Sequence, residues 1–160
     1  MSRVIYIVRH GQSEGNRHNR ADFGKEGGAL IDAGIAEAKA LKDKFLEMGI
    51  DTKTEPAAIS ELKRTYETAI YAGFTKLHKY GSLNEVDSAL KPKELDGMIK
   101  QKKTPDDAII RAQSLLANPP TENIWVTHGL MIAGIASELG IPPDQLFIPK
   151  MGSITKVFLG

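Results

Sequence analysis

The run Arg9-His10-Gly11-Gln12-Ser13-Glu14-Gly15-Asn16 places a nucleophile, a cation and pliable backbone side by side. An arginine fork can hold two phosphate oxygens, and its charge disfavours a proton on a neighbouring imidazole. A neutral imidazole can attack phosphorus, so Arg9 beside His10 suits phosphoryl chemistry. Gly11 lets the backbone approach a ligand closely and turn sharply. The run begins where Val4-Ile5-Tyr6-Ile7-Val8 ends, a β-branched and aromatic stretch that predicts a strand covered on both faces. In open α/β sheets ligands collect at that C-terminal strand edge.

Three further segments add to the pattern: Ser60-Glu61-Leu62-Lys63-Arg64-Thr65-Tyr66-Glu67-Thr68-Ala69, Leu83-Asn84-Glu85 and Val126-Thr127-His128-Gly129. With the opening run and the final Gly152-Ser153-Ile154-Thr155, they resemble the histidine phosphatase superfamily, which includes cofactor-dependent phosphoglycerate mutases. The likeness extends over nearly the whole chain. It implies that His10 is the nucleophile that becomes phosphorylated and that Arg9, Arg64 and His128 grip the phosphoryl oxygens. Glu85 would be the proton donor. Asn16 and the backbone N–H of Gly129 would add phosphate contacts, the latter at a helix N-terminus that favours anions. Gln12 and Ser13 would line the entrance.

Phosphoryl transfer needs in-line attack, neutralisation of the equatorial oxygens and a protonated leaving oxygen. A histidine nucleophile, cationic clamps and one carboxylic acid are a sufficient set, and neither a metal nor another cofactor is required. A phosphate dianion nearby would itself raise the pKa of Glu85. Glu61, Glu67 and Asp87 are rival acids on sequence grounds. A histidine-ligated metal is the competing reading of the four histidines, but no two stand at the i, i+4 spacing of a helical metal motif, and His18 and His78 look incidental.

Two departures from the family pattern stand out. Leu30-Ile31-Asp32-Ala33-Gly34 occupies the place of Leu-Thr-x-x-Gly, which makes Asp32 the expected helix cap. After Glu85 the glycine- and tryptophan-containing stretch common in mutases is missing, and Glu85 and His128 stand only 43 positions apart. A mutase must enclose a bisphosphorylated intermediate while it turns, whereas a compact chain leaves a phosphohistidine open to water. The expected activity is hydrolysis of small phosphomonoesters through a covalent phosphohistidine. Mutase-type transfer, a protein phosphohistidine phosphatase and a non-catalytic phosphate-binding module are the alternatives. Specificity is expected from Asp22 to Gly28 and Lys91 to Lys103, neither of which carries a readable pattern.

The elements that would position these residues alternate between strand and helix. Helical spacing of Ile35, Ala38, Leu41, Phe45 and Met48 predicts a helix over 32–48 stopped by Gly49. Ala57-Ala58-Ile59 predicts a short strand and Glu61 to Ala72 a helix. Thr104-Pro105-Asp106-Asp107 supplies a cap, a first-turn proline and an acid, opening a helix that ends near Asn118. Asn123 to Thr127 reads as strand, Leu130 to Leu139 as helix and Ser153 to Leu159 as a last strand at one side. The expected architecture is an α/β layered sheet, mostly parallel, with helices on both faces and one domain over residues 1–160. Lys91 to Lys103 is the one strongly basic stretch, expected to be a solvated excursion.

Composition bounds the rest. The chain has 160 residues, 41% apolar and 26% charged, an ordinary globular balance. A net charge of +1 gives no field to hold nucleic acid or an acidic membrane, so any anion site is local and the expected partner is a small phosphorylated molecule. No apolar run approaches a membrane span, and Val4 to Val8 is too short for a signal-peptide core. There are no cysteines, which excludes thiol catalysis and thiolate zinc and fits the expected cytoplasmic setting. No oligomeric state is legible.

Overall fold

The apolar run at the start of the chain forms β1 (Arg3–Arg9), a strand with a neighbour on each side. The computed structural model describes residues 2–14 and 28–160. In it β1 pairs in parallel with β4 (Ile124–Thr127) and antiparallel with β5 (Ile154–Leu159). β4 continues in parallel to β2 (Ala57–Ile59), and β2 to β3 (Leu77–Lys79), so the sheet order is β3-β2-β4-β1-β5. Four strands run one way and the last, at an edge, runs back.

Strand alternation sends side chains to two separate cores. Ile5, Ile7, Ala58 and Trp125 face α4 (Asp106–Ala117) and α5 (Gly129–Glu138), packing with Ala108, Ala112, Leu115, Met131, Ile132 and Ile135. Val8, Ala57, Ile59, Ile124 and Val126 face the other way, onto Leu41 and Phe45 of α1 (Asp32–Glu47) and Ala69 of α2 (Lys63–Tyr71). Phe45, Leu115 and Trp125 are fully buried, each contributing ~1.5–3 kcal/mol or more over the exposed state. The expected layered α/β sheet with helices on both faces is therefore present.

Differences from the sequence reading lie mainly in the polar segments. Asp32 is the first helical residue of α1, and the cap is Ile31, without a side-chain cap bond. At the start of α4, Pro105 takes the cap position that Thr104 was expected to fill. The basic stretch is not a bare excursion. It contains α3 (Pro92–Lys100), begun by a first-turn proline and docked on the core by half-buried Leu95 and Ile99. These stand at i, i+4, and the surrounding lysines mask that short apolar stripe. The exposed edge strand β3 and the 3₁₀ turn Gly81–Leu83 also escape a reading based on apolar periodicity. Among the described residues no helix is long and apolar enough to cross a membrane.

Candidate active site

Parallel registry brings the ends of three strands together. Arg9 of β1 lies beside Thr127 of β4, and Ile59 of β2 beside Val126 of β4, so His10, His128 and Ser60 leave the sheet at one edge. Arg64 comes to the same place on the first turn of α2, and Glu85 just after the 3₁₀ turn. Thr127 Oγ1 donates to the carbonyl of Leu83 at 2.6 Å, and Arg111 Nη2 to that of Asn84 at 3.0 Å. β4 and α4 thereby hold the turn that presents Glu85.

His10 is 2% exposed, and its Nδ1 lies 2.7 Å from the carbonyl oxygen of Gly11. A carbonyl can only accept, so Nδ1 carries the hydrogen and Nε2 the lone pair. The Nε–H of Arg64 donates to that same Nε2 at 3.3 Å. Burial, with the charges of Arg64 and Arg9, pushes the pKa of His10 down to about 3, against the support of the Gly11 carbonyl. The imidazole is therefore neutral at ordinary pH and keeps its lone pair.

His128 is fully buried with its ring centre 5.1 Å from that of His10. Its Nε2 lies 2.8 Å from Ser60 Oγ, while Nδ1 has no hydrogen-bond partner among the described residues. Burial first, then His10, Arg64 and Arg9, holds its pKa well below the ordinary histidine value. Arg9 donates through Nη1 to the carbonyl of Pro149 at 2.7 Å, and its buried Nε is likewise without a partner among the described residues. A Cβ on Gly129 would stand 3.1 Å from both Cζ and Nε of Arg9 and 2.9 Å from Ile148 Cγ2. Glycine at the first position of α5 is what lets the guanidinium lie across the helix start.

Glu85 accepts from three backbone amides: Val86 at 2.9 Å, Met131 at 3.1 Å and Leu130 at 3.2 Å. The last two belong to the first turn of α5, so the carboxylate sits at a helix N-terminus. Desolvation nevertheless raises its pKa, outweighing those amides and the charge of Arg64. The rival acids are engaged elsewhere or exposed. Glu61 exchanges hydrogen bonds with Asn84, Glu67 accepts the amide of Leu30, and Asp87 is exposed.

The structure thus brings Arg9, His10, Arg64, Glu85, His128 and Gly129 to one edge. The residues expected at the entrance both make contacts within the fold. Ser13 is buried and bridges to Leu30, and Gln12 is tied to Glu37 through its amide at 2.9 Å and its side chain at 3.2 Å. Asn16, His18 and most of the Asp22 to Gly28 segment lie outside the described residues. His78 is remote, paired with Glu122 on β3. Among the described residues no three His, Asp or Glu side chains gather as a metal site. Sequence reasoning assigned no part to the buried hydroxyls. Thr68 Oγ1 accepts the amide of Gly11 at 3.0 Å and donates to the carbonyl of Arg64 at 2.7 Å, and Ser60 and Thr65 share a contact of 2.8 Å. Their signal was threonine at i, i+3 on the face of α2 that also carries Ala69.

The model of the histidine phosphatase superfamily (branch 1) matches residues 5–90. The chain belongs to this superfamily. Membership supports a phosphatase or phosphotransferase activity. In fold the chain is similar to TTHB049 from Thermus thermophilus, with a TM-score of 0.71 and 22% identity over 97% of this chain and 93% of that one. It is also similar to the product of open reading frame Rv3214 from Mycobacterium tuberculosis, with a TM-score of 0.68 and 22% identity over 96% and 89% of the two chains. A structure described as mycobacterial hydrolase 1 gives 0.66 and 20% identity over 99% and 91%. No curated protein matches the chain in sequence.

Proposed function

We propose that this protein is a metal-independent phosphatase that hydrolyses small phosphomonoesters through a phosphohistidine on His10. The observation that carries the reading is the pair of buried groups without a partner among the described residues, Arg9 Nε and His128 Nδ1, gathered around a neutral imidazole whose Nε2 is bare of hydrogen. A buried donor left unpaired costs about 1–3 kcal/mol, and a phosphoryl oxygen at this place would relieve it. The charges of Arg9 and Arg64 match a phosphate dianion.

In the first step Nε2 of His10 attacks phosphorus and the bond to the leaving oxygen breaks. That oxygen takes the proton of the Glu85 carboxyl. The developing positive charge on the ring is supported at Nδ1–H by the Gly11 carbonyl. In the second step water attacks the phosphohistidine, gives its proton to Glu85 and releases phosphate, returning His10 to its starting state. Arg9, Arg64 and His128 hold the equatorial oxygens throughout, and the amide of Gly129 adds a donor at the start of α5.

The test is phosphate release from an aryl phosphate in excess chelator, comparing wild type with His10→Ala. Turnover that survives chelator and disappears in the variant supports the reading. Equal turnover in both proteins overturns it. Isomerisation of a phosphoglycerate outrunning phosphate release, when a bisphosphorylated primer is added, would make the protein a mutase instead.

A further inference from the structure

We infer that Ser60 is a positioning residue, whose hydroxyl hydrogen is donated to Nε2 of His128 and so fixes that ring as the Nδ1–H tautomer, a donor to the phosphoryl group. The inference rests on the phosphatase reading, which supplies the phosphoryl oxygen that decides between the arrangements of hydrogen open to Ser60, Thr65 and His128.

The hydrogens can be counted. Thr65 Oγ1 lies 2.9 Å from the carbonyl of Leu62 and 3.2 Å from that of Ser60, both pure acceptors, so its single hydrogen is directed to them. Ser60 Oγ accepts the amide of Leu62 at 3.2 Å. The hydrogen of Ser60 then has two destinations, Thr65 Oγ1 and His128 Nε2, each at 2.8 Å. If it went to Thr65, His128 would have to donate from Nε2, leaving a bare lone pair at Nδ1. A phosphoryl oxygen offers only lone pairs, and a bare Nδ1 would repel it. If the hydrogen goes to His128, both ring nitrogens find complementary partners once an oxygen meets Nδ1.

A doubly protonated ring is the remaining arrangement. It would put a third positive charge, buried, beside Arg9 and Arg64, which burial and like charge both oppose. Ser60 is itself wholly buried and accepts the amide of Leu62 from the same turn, so its hydroxyl has little freedom to reorient. Ser60 therefore acts on the reaction through His128 and touches no reacting atom.

The experiment is nitrogen NMR of histidine-labelled enzyme, alone and with saturating inorganic phosphate, with the His128 signals assigned by their loss in His128→Asn. The expected wild-type result is hydrogen on Nδ1 and none on Nε2. Hydrogen on Nε2 with a bare Nδ1, or on both nitrogens in both samples, overturns the inference. Ser60→Ala is expected to abolish the single tautomer and to lower kcat/KM about tenfold to a hundredfold, by analogy with loss of the orienting partner of a metal-ligating histidine. A Nδ1–H tautomer unchanged in Ser60→Ala also overturns it. Thr65→Val, which removes the competing partner, should leave the wild-type tautomer in place, and a shift of the hydrogen to Nε2 there counts against Ser60 even where Ser60→Ala fails to fold. The expected tautomer in a protein without turnover would defeat the hydrolase reading and leave the role of Ser60 standing.

Discussion

The Nε–H of Arg64 donates to Nε2 of His10 across 3.3 Å, which joins cation and nucleophile in one hydrogen bond. The same guanidinium is the largest charge holding the His10 pKa down, after burial. Arg64→Lys keeps a charge but loses the planar fork that holds two oxygens in fixed geometry. Its kcat should fall about a hundredfold or more, in line with removal of one stabilising donor from a transition state. Arg64→Ala should in addition move the acid limb of the pH–rate profile above about 3, because His10 then protonates more easily. Steady-state kinetics across pH check both, and an unmoved acid limb in Arg64→Ala would remove Arg64 from the control of His10.

Glu85→Gln separates proton donation from the structural work of the same side chain. The carboxamide oxygen can still accept from the amides of Val86 and Met131, which share Oε1, while the amide of Leu130, which Oε2 accepts, loses its partner, so the start of α5 stays partly capped. The acidic proton is lost outright. The variant should lose about 10²- to 10⁴-fold in kcat on an alkyl phosphate, whose leaving oxygen must be protonated, and far less on a nitrophenyl phosphate. In wild type, activity on alkyl phosphates should decline as pH rises through the Glu85 pKa, which lies above the usual carboxylate value. Equal losses on both substrate classes would show that Glu85 is not the acid.

How much of this was legible follows from where each signal resides. His10 and Arg9 could be placed because the strand before them is an apolar run whose end is plain, and Arg64 and His128 because each stands in a segment that resembles the histidine phosphatase superfamily. Glu85 is one acid among four in the sequence, and the structure ties Glu61 to Asn84 and Glu67 to Leu30. The tie of its carboxylate to the first turn of α5 joins residues 45 positions apart, which no local pattern encodes. Ser60 illustrates the same limit from the other side: a serine in sequence is usually a solvated hydroxyl, and only burial against Thr65 and His128 gives it a part. The helix inside the basic stretch was hidden because charge dominates its composition while Leu95 and Ile99 alone tie it to the core.

Gly129→Ala tests the contact between the start of α5 and Arg9. Alanine is the better helix former, so the substitution has no intrinsic cost to the helix. Its methyl group would press on Cζ and Nε of Arg9 at 3.1 Å and on Ile148 at 2.9 Å. The guanidinium is the more easily displaced of the two, and a shift of about 1 Å in a positioning group can cost on the order of a hundredfold in rate. The expected variant is folded, with a melting temperature near that of wild type and kcat/KM reduced about a hundredfold. Wild-type kinetics would mean that Arg9 does not need its place over Gly129.

Acid should destabilise the fold through its two buried histidines. In the unfolded chain a histidine binds its proton near pH 6.5, whereas His10 in the fold binds it only near 3. Between those values the unfolded state holds more protons, so stability falls as pH is lowered. For His10 the full window corresponds to ~4–5 kcal/mol, and His128 acts in the same direction. Glu85 acts oppositely, since its raised pKa contributes stability at low pH that is lost as pH rises through the folded value. With two histidines set against one carboxyl, urea midpoints should drop from pH 7 towards pH 4. His10→Asn, which has no group to titrate there, should lose distinctly less stability over the same interval. Parallel losses in the two proteins would show that His10 is not held neutral by the fold.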